Sequence, residues 1–276
     1  MNLSGLANII GNSIVGGVPG GGGGTPPQPA NAWSMQTDGV NQFAESVTTP
    51  YDTLDGATNF SISVWVKPDN LTHDRVITHV ARDLNVNNSQ FFLWIRASTG
   101  LLNFSMEIPS FYIRSNVGLT AGVWQHVAVT VDFSQPDCPG GKKSNLYING
   151  VNVNGLCNQR SVVWAGTSLS PSTGRIGIGE DVVSSSLAPY YGFMDEFAIW
   201  NGVTLSPADV LGIYNQGGAG KPGNLNQLTN PPNLWYRFGD NNTPPGSGTA
   251  IPNQGSSGAT DNGAAINGAS FVNDTP

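Results

Sequence analysis

Apolar and polar residues alternate with a period of two along most of the chain from Trp33 to Asp240. Successive side chains of a strand point to opposite faces, so this period predicts β-strands buried on one side. The clearest case is NFSISVWVKP, with Phe60, Ile62, Val64 and Val66 on one face and Ser61, Ser63, Trp65 and Lys67 on the other. RVITHVA, SQFFLWIRA and GLLNFSMEI follow, separated by Asn-rich or Ser-Thr-Gly turns, and read as an antiparallel meander. WSMQTDG and FAESV flank a turn at Asp38 to Gln42. VWQHVAVTVDF alternates again, and SNLYINGVNVNG is a hairpin whose Asn149-Gly150 favours a type I′ turn. GRIGIGE is a short strand thinned by glycines, and NLWYRFGD is a late strand with Leu234, Tyr236 and Phe238 against Trp235 and Arg237.

The stretch Phe193 to Tyr214 organises the rest. Its strand places Phe193, Asp195, Phe197 and Ile199 on one face and Met194, Glu196, Ala198 and Trp200 on the other. Asn201-Gly202 is a turn. Ser206 supplies an N-cap, Pro207 suits the first helical position and Asp209 favours the helix dipole, which predicts one short helix near 206–215. Such a mini-helix is expected to plug the open end of a sandwich.

Composition narrows the class. Only 11% of the 276 residues are charged, while Gly (36) and Pro (19) are abundant, which suits a loop-rich β protein and not a helical bundle. A net charge of −7 disfavours nucleic acid and anionic membrane as partners, and no basic patch offsets it. No secretory signal is recognisable, since the first basic residue is Lys67. Residues 1–31 combine a weakly apolar arm (Leu3, Leu6, Ile9, Ile10, Ile14, Val15) with a Gly- and Pro-rich linker. The arm reads either as a flexible tail or as an anchor that buries these side chains in a homo-oligomer or larger assembly. Residues 32–240 form the expected all-β sandwich, and 241–276, poor in apolar residues, an irregular strap.

Four pieces in order, MQTDGVNQFAESV, FSISVWVKP, WQHVAVTVD with LYINGV, and IGIG with FMDEFAIWNGVTLSPADVLGIYN, resemble the laminin-G-like, concanavalin A-like lectin/glucanase jelly rolls. The resemblance spans about 33–215 and implies a two-sheet antiparallel jelly roll, one convex sheet backing a concave one. Residues 233–276 are similar to segments that follow such domains in phage-encoded proteins, and the glycine-rich arm is similar in style to tailed-phage structural proteins. The expectation is therefore a non-catalytic virion-surface protein, made in a host cytoplasm, anchored through residues 1–31 and contacting host glycans. The alternative is an extracellular carbohydrate-binding module.

Glycanases of this superfamily carry paired catalytic carboxylates on one strand face, and the chemistry requires them roughly 5–10 Å apart. Strict alternation puts Asp195 and Glu196 on opposite faces, and Glu180 and Asp181 likewise, so an enzyme is not expected. His73, His79 and His126 lie in no recognisable triad or zinc context. Similar jelly rolls hold a structural calcium between acids of the first and last strands, which makes Asp38 and Asp195 its candidates; the bland reading has them capping a turn and accepting backbone N–H groups. Cys138 and Cys157 flank the hairpin, and a disulfide there would contribute about 3 kcal/mol by chain entropy, with free thiols as the alternative. Trp94, Tyr112, Trp164, Tyr190 and Tyr191 are candidates for stacking against a pyranose ring, and each serves equally as packing.

Overall fold

The computed structural model describes residues 31–47, 52–83, 88–106, 111–135, 144–159, 167–182, 187–239 and 250–276. The arm residues Leu3 to Val15, Cys138 and Trp164 lie outside them. In chain order the strands are β1 (Ser34–Asp38), β2 (Phe43–Ser46), β3 (Asn59–Pro68), β4 (Arg75–Asp83), β5 (Asn88–Ile95), β6 (Leu101–Met106), β7 (Phe111–Gly118), β8 (Gln125–Asp132) and β9 (Ser144–Ile148). They continue as β10 (Val151–Asn152), β11 (Asn154–Gln159), β12 (Ile176–Ile178), β13 (Tyr191–Asn201), β14 (Leu234–Tyr236), β15 (Ala250–Ile251), β16 (Gly263–Ile266) and β17 (Ser270–Val272). The helix α1 (Pro207–Tyr214) follows β13.

The first sheet runs β10-β9-β8-β3-β13-β1-β17, with β14 also paired to β13. The second runs β11-β7-β6-β5-β4-β12-β2-β16-β15. The registered strand pairs are antiparallel, as the alternating patterns require. Inward side chains of both sheets merge into one core that includes Phe60, Ile62, Val64 and Val66 of β3, Phe91, Leu93 and Ile95 of β5, and Phe104 of β6. Phe60 stacks on Phe91 across the sheets with ring centroids 5.5 Å apart. Burying side chains of this size stabilises by roughly 1.5–3 kcal/mol each.

Two expectations are corrected. The helix does not plug the sandwich end. It covers the outer face of the first sheet, where Val210 and Ile213 pack with Tyr147, Ala128, Ala198, Trp200 and Trp235. Its capping box forms as the sequence predicts: Ser206 Oγ accepts from Asp209 N at 3.2 Å, and Asp209 Oδ2 accepts from Ser206 N at 2.9 Å. The described part of the tail is no irregular strap. It supplies β15 to β17, and β16 extends the second sheet at β2 while β17 extends the first at β1.

Strict alternation also fails inside β13. Asp195 pairs Trp65 and Ala198 pairs Ser63, so three steps along β13 match two along β3. The extra residue makes a β-bulge, with Glu196 at φ 51°. Its position has a cause. β1 pairs β13 only as far as Met194, and β14 takes over from Phe197, so the bulge lies where β13 changes partner. Met194 and Phe197 consequently both face the core.

Candidate binding face

The bulge gathers an ionic cluster. Glu196 accepts from Trp235 Nε1 at 2.5 Å and from Arg237 Nε at 3.1 Å, and all three side chains are buried. Asp195 accepts from Glu196 N at 2.8 Å and from Asn31 Nδ2 at 2.7 Å. Burial and the neighbouring Glu196 carboxylate push Asp195 well above the usual carboxylate range, opposed by the Asn31 hydrogen bond and by Arg237. The acids therefore do stand side by side, against the expectation from alternation. Both are buried: Glu196 ties β13 to Trp235 and Arg237 of the β14 segment, and Asp195 ties it to Asn31 ahead of β1.

Asp38 does not join them. Its register partner on β13 is Tyr191, four residues from Asp195, or about 13 Å along a strand. Exposed at the β1–β2 turn, Asp38 accepts from Val40 N at 2.9 Å. These two aspartates do not share one ion shell.

The outer face of the second sheet has a different character. Phe91, Leu93, Leu102, Phe104 and Ile113 point into the core, so Phe92, Trp94, Asn103, Ser105, Tyr112 and Arg114 point outward. Registry lines them in two cross-strand rows: Trp94, Asn103 and Arg114 in one, Phe92, Ser105 and Tyr112 in the other. Phe92 and Trp94 lie with ring centroids 5.1 Å apart. Trp94, Tyr112 and Arg114 are half-buried, leaving ring area and a cation accessible. Arg114 Nε donates to Asn103 Oδ1 at 2.8 Å, and the guanidinium lies 5.8 Å from the Tyr112 ring centroid. Ser105 Oγ is buried and has no hydrogen-bond partner among the described residues. An orphaned hydroxyl costs stability unless something outside the fold satisfies it.

One margin of this face carries a hydrogen-bonded chain that sequence spacing did not suggest. His79 Nε2 is 2.6 Å from Ser89 Oγ, and His79 Nδ1 is 3.0 Å from Asp181 Oδ1. The order is that of an acyl-transfer triad, but Ser89 and His79 are each 1% exposed. Val182 N lies 3.2 Å from the same Nδ1 and donates to it in the tautomer that leaves that nitrogen unprotonated. The chain thus pins the turn after β12 onto β4. Beside it, burial and the adjacent Asp181 raise Glu180 to about 7.

The other predicted residues separate. Tyr190 is fully buried in the core, so its ring offers no platform. Tyr191 lies under Arg75, whose guanidinium is 5.7 Å from the ring centroid, away from Trp94 and Tyr112. Cys157 on β11 packs against the core. Phe92, Asn103, Ser105 and Arg114 escaped sequence reasoning because their common face depends on register across three strands.

Comparison with known proteins points the same way for the fold. No curated protein matches the chain. A putative carbohydrate binding protein from Bacteroides ovatus is similar at 18% identity and a TM-score of 0.59, over 90% of this chain and 61% of that one. The native heptameric SAP-like pentraxin from Limulus polyphemus is similar at 19% identity and a TM-score of 0.51, over 70% of this chain and 87% of that one. At these identities the likeness is one of fold. A laminin G-type family model matches residues 41–211, and the chain belongs to the concanavalin A-like lectin/glucanases superfamily.

Proposed function

We propose that this chain is a non-catalytic carbohydrate-binding protein whose binding surface is the outer face of the second sheet. The observation that carries the reading is the pair of half-exposed aromatic rings, Trp94 and Tyr112, set around Asn103 and the unsatisfied Ser105 hydroxyl. A pyranose offers C–H faces to such rings and hydroxyls to such polar groups. The superfamily membership and the fold shared with the Bacteroides ovatus carbohydrate binding protein support it. Anchoring to a virion through residues 1–31 concerns a segment of which residues 1–30 lie outside the described structure.

Glycan-array screening followed by titration calorimetry tests it. Trp94→Ala and Tyr112→Ala are each expected to weaken binding of the selected glycan by about tenfold or more, as loss of a stacked ring implies, with circular dichroism unchanged. Undiminished binding by the doubly substituted protein, or no binding across the array, would sink the reading.

A further inference from the structure

We infer that the preferred ligand on this face is a carboxylate-bearing sugar, of the uronate or sialate type, received by Arg114. The inference rests on the glycan-binding reading above and narrows it. Its starting point is a cation in an unusual position. The chain carries 11 Lys and Arg residues against 18 Asp and Glu, yet among the described residues the cross-strand rows around Arg114, from β4 to β11, hold no acid. Val76, Trp94 and Asn103 share its own row, and His79, Phe92, Ser105, Tyr112 and Asn158 form the next.

The side chain is held in place. Asn103 Oδ1 takes the Nε hydrogen at 2.8 Å, and the Tyr112 ring lies beside the guanidinium. Asn103 is itself 1% exposed, so this acceptor is fixed. Among the described residues the two terminal nitrogens of Arg114 make no hydrogen bond and no ion pair. A guanidinium oriented through Nε presents those nitrogens as a planar fork, which matches a carboxylate in bidentate fashion. Pre-orientation also lowers the entropy lost on binding.

The surroundings supply the rest of a sugar. Trp94 shares the row of Arg114 with Asn103 between them, and Ser105 shares the row of Tyr112. A ring stacked on Trp94 or Tyr112 would bring a carboxylate to Arg114 and a hydroxyl to Ser105 Oγ. The net charge of −7 repels anions at long range. Preference for an acid therefore has to come from this short-range contact.

The test compares full-length protein and its Arg114→Gln and Arg114→Lys variants by calorimetry on paired glycans. One pair is oligogalacturonate and its methyl ester; the other is 3′-sialyllactose and its carboxyl methyl ester. Members of a pair differ in whether the carboxylate charge is present. The expected result is at least one carboxylated glycan bound about 10- to 100-fold tighter than its neutral counterpart, the range of a charged hydrogen-bonded contact. Arg114→Gln should abolish that preference, bringing the charged and neutral members of a pair to equal affinity, and Arg114→Lys should keep a part of it. Rising salt should erode the charged increment only. Equal binding of charged and neutral members, or survival of the preference in Arg114→Gln, would overturn this inference and leave glycan binding standing. Failure to bind any glycan would overturn both.

Discussion

Two buried or half-buried groups give the protein opposing responses to pH. His126 is enclosed on the outer face of the first sheet between Trp65 and Tyr214, with Nε2 2.7 Å from Ser63 Oγ. Desolvation lowers it to about 3. The unfolded chain takes up this proton near 6.5, so stability falls as pH drops from about 6.5 toward 3. Glu180 behaves in the reverse sense. Its folded value of about 7 lies above the ordinary 4.5, so the native state binds the proton first and stability rises as pH drops from 7 to 4.5. Between 6.5 and 4.5 the two offset each other, and below 4.5 the histidine acts without that compensation. His126→Gln is expected to flatten the acid limb of urea stability by a few kcal/mol. Glu180→Gln is expected to stabilise the protein above pH 7 by about 1 kcal/mol once solvent screening is counted. Parallel urea titrations from pH 4 to 8 check both. A variant profile parallel to that of the natural sequence would refute the corresponding assignment.

At the scale of elements, the bulge of β13 explains how one strand serves two neighbours. Glu196 occupies the left-handed region at φ 51°, a conformation that costs a non-glycine residue roughly 1 kcal/mol or more. Arg237 and Trp235, on and just after β14, hold it there. Arg237→Met would leave a buried carboxylate without its cation and should destabilise by about 3–5 kcal/mol. Adding Glu196→Gln should recover part of that loss, because the uncompensated charge goes while the Trp235 hydrogen bond has an acceptor still. Chemical denaturation of the single and double variants measures it, and additive losses would contradict the pairing. The long strands β3 to β6, β8 and β9 were legible because each carries four or more alternating residues with turn residues between, whereas β7, FYIRSNVG, carries too few apolar residues to stand out. The capped helix was legible because Ser206, Pro207 and Asp209 act locally. The bulge was not, since nothing in FMDEFAIW marks where a neighbouring strand ends. Nor were β15 to β17, short strands of two to four residues that form where β2 offers an edge to β16, β1 an edge to β17, and β16 an edge to β15. The candidate face was half legible: Trp94 and Tyr112 stand out by type, while Asn103, Ser105 and Arg114 are ordinary strand residues until register sets them beside the rings.

At the scale of the molecule, the two ends of the described chain tie the sheets together. β1 lies in the first sheet and β2 in the second, joined by the turn at Asp38 to Gln42. β16 and β17 make the same crossing in reverse, pairing β2 and β1 respectively. The two corners touch, with Asn267 Nδ2 donating to Asn41 O at 2.8 Å. Beyond β17, Asp274 accepts from Lys67 Nζ at 2.7 Å and from Trp124 Nε1 at 2.8 Å. Burial alone would raise Asp274, but these hydrogen bonds outweigh it and hold the carboxylate below its usual range. The tail is thus part of the sandwich and not an appendage. Removing residues 250–276 would expose the edges of β1 and β2 at once and take the buried Ile251, Ala265 and Ala269 out of the core, and unpaired edges template aggregation. The truncated chain is expected to precipitate or to unfold at markedly lower urea than the full chain. Asp274→Ala in the full chain should cost only about 1 kcal/mol or less, since its ion pair with Lys67 is partly exposed. Size-exclusion chromatography with urea titration distinguishes these cases. A monomeric truncated chain with an unchanged midpoint would show that β1 and β2 need no partner from the tail, and the two-corner account of the fold would fail.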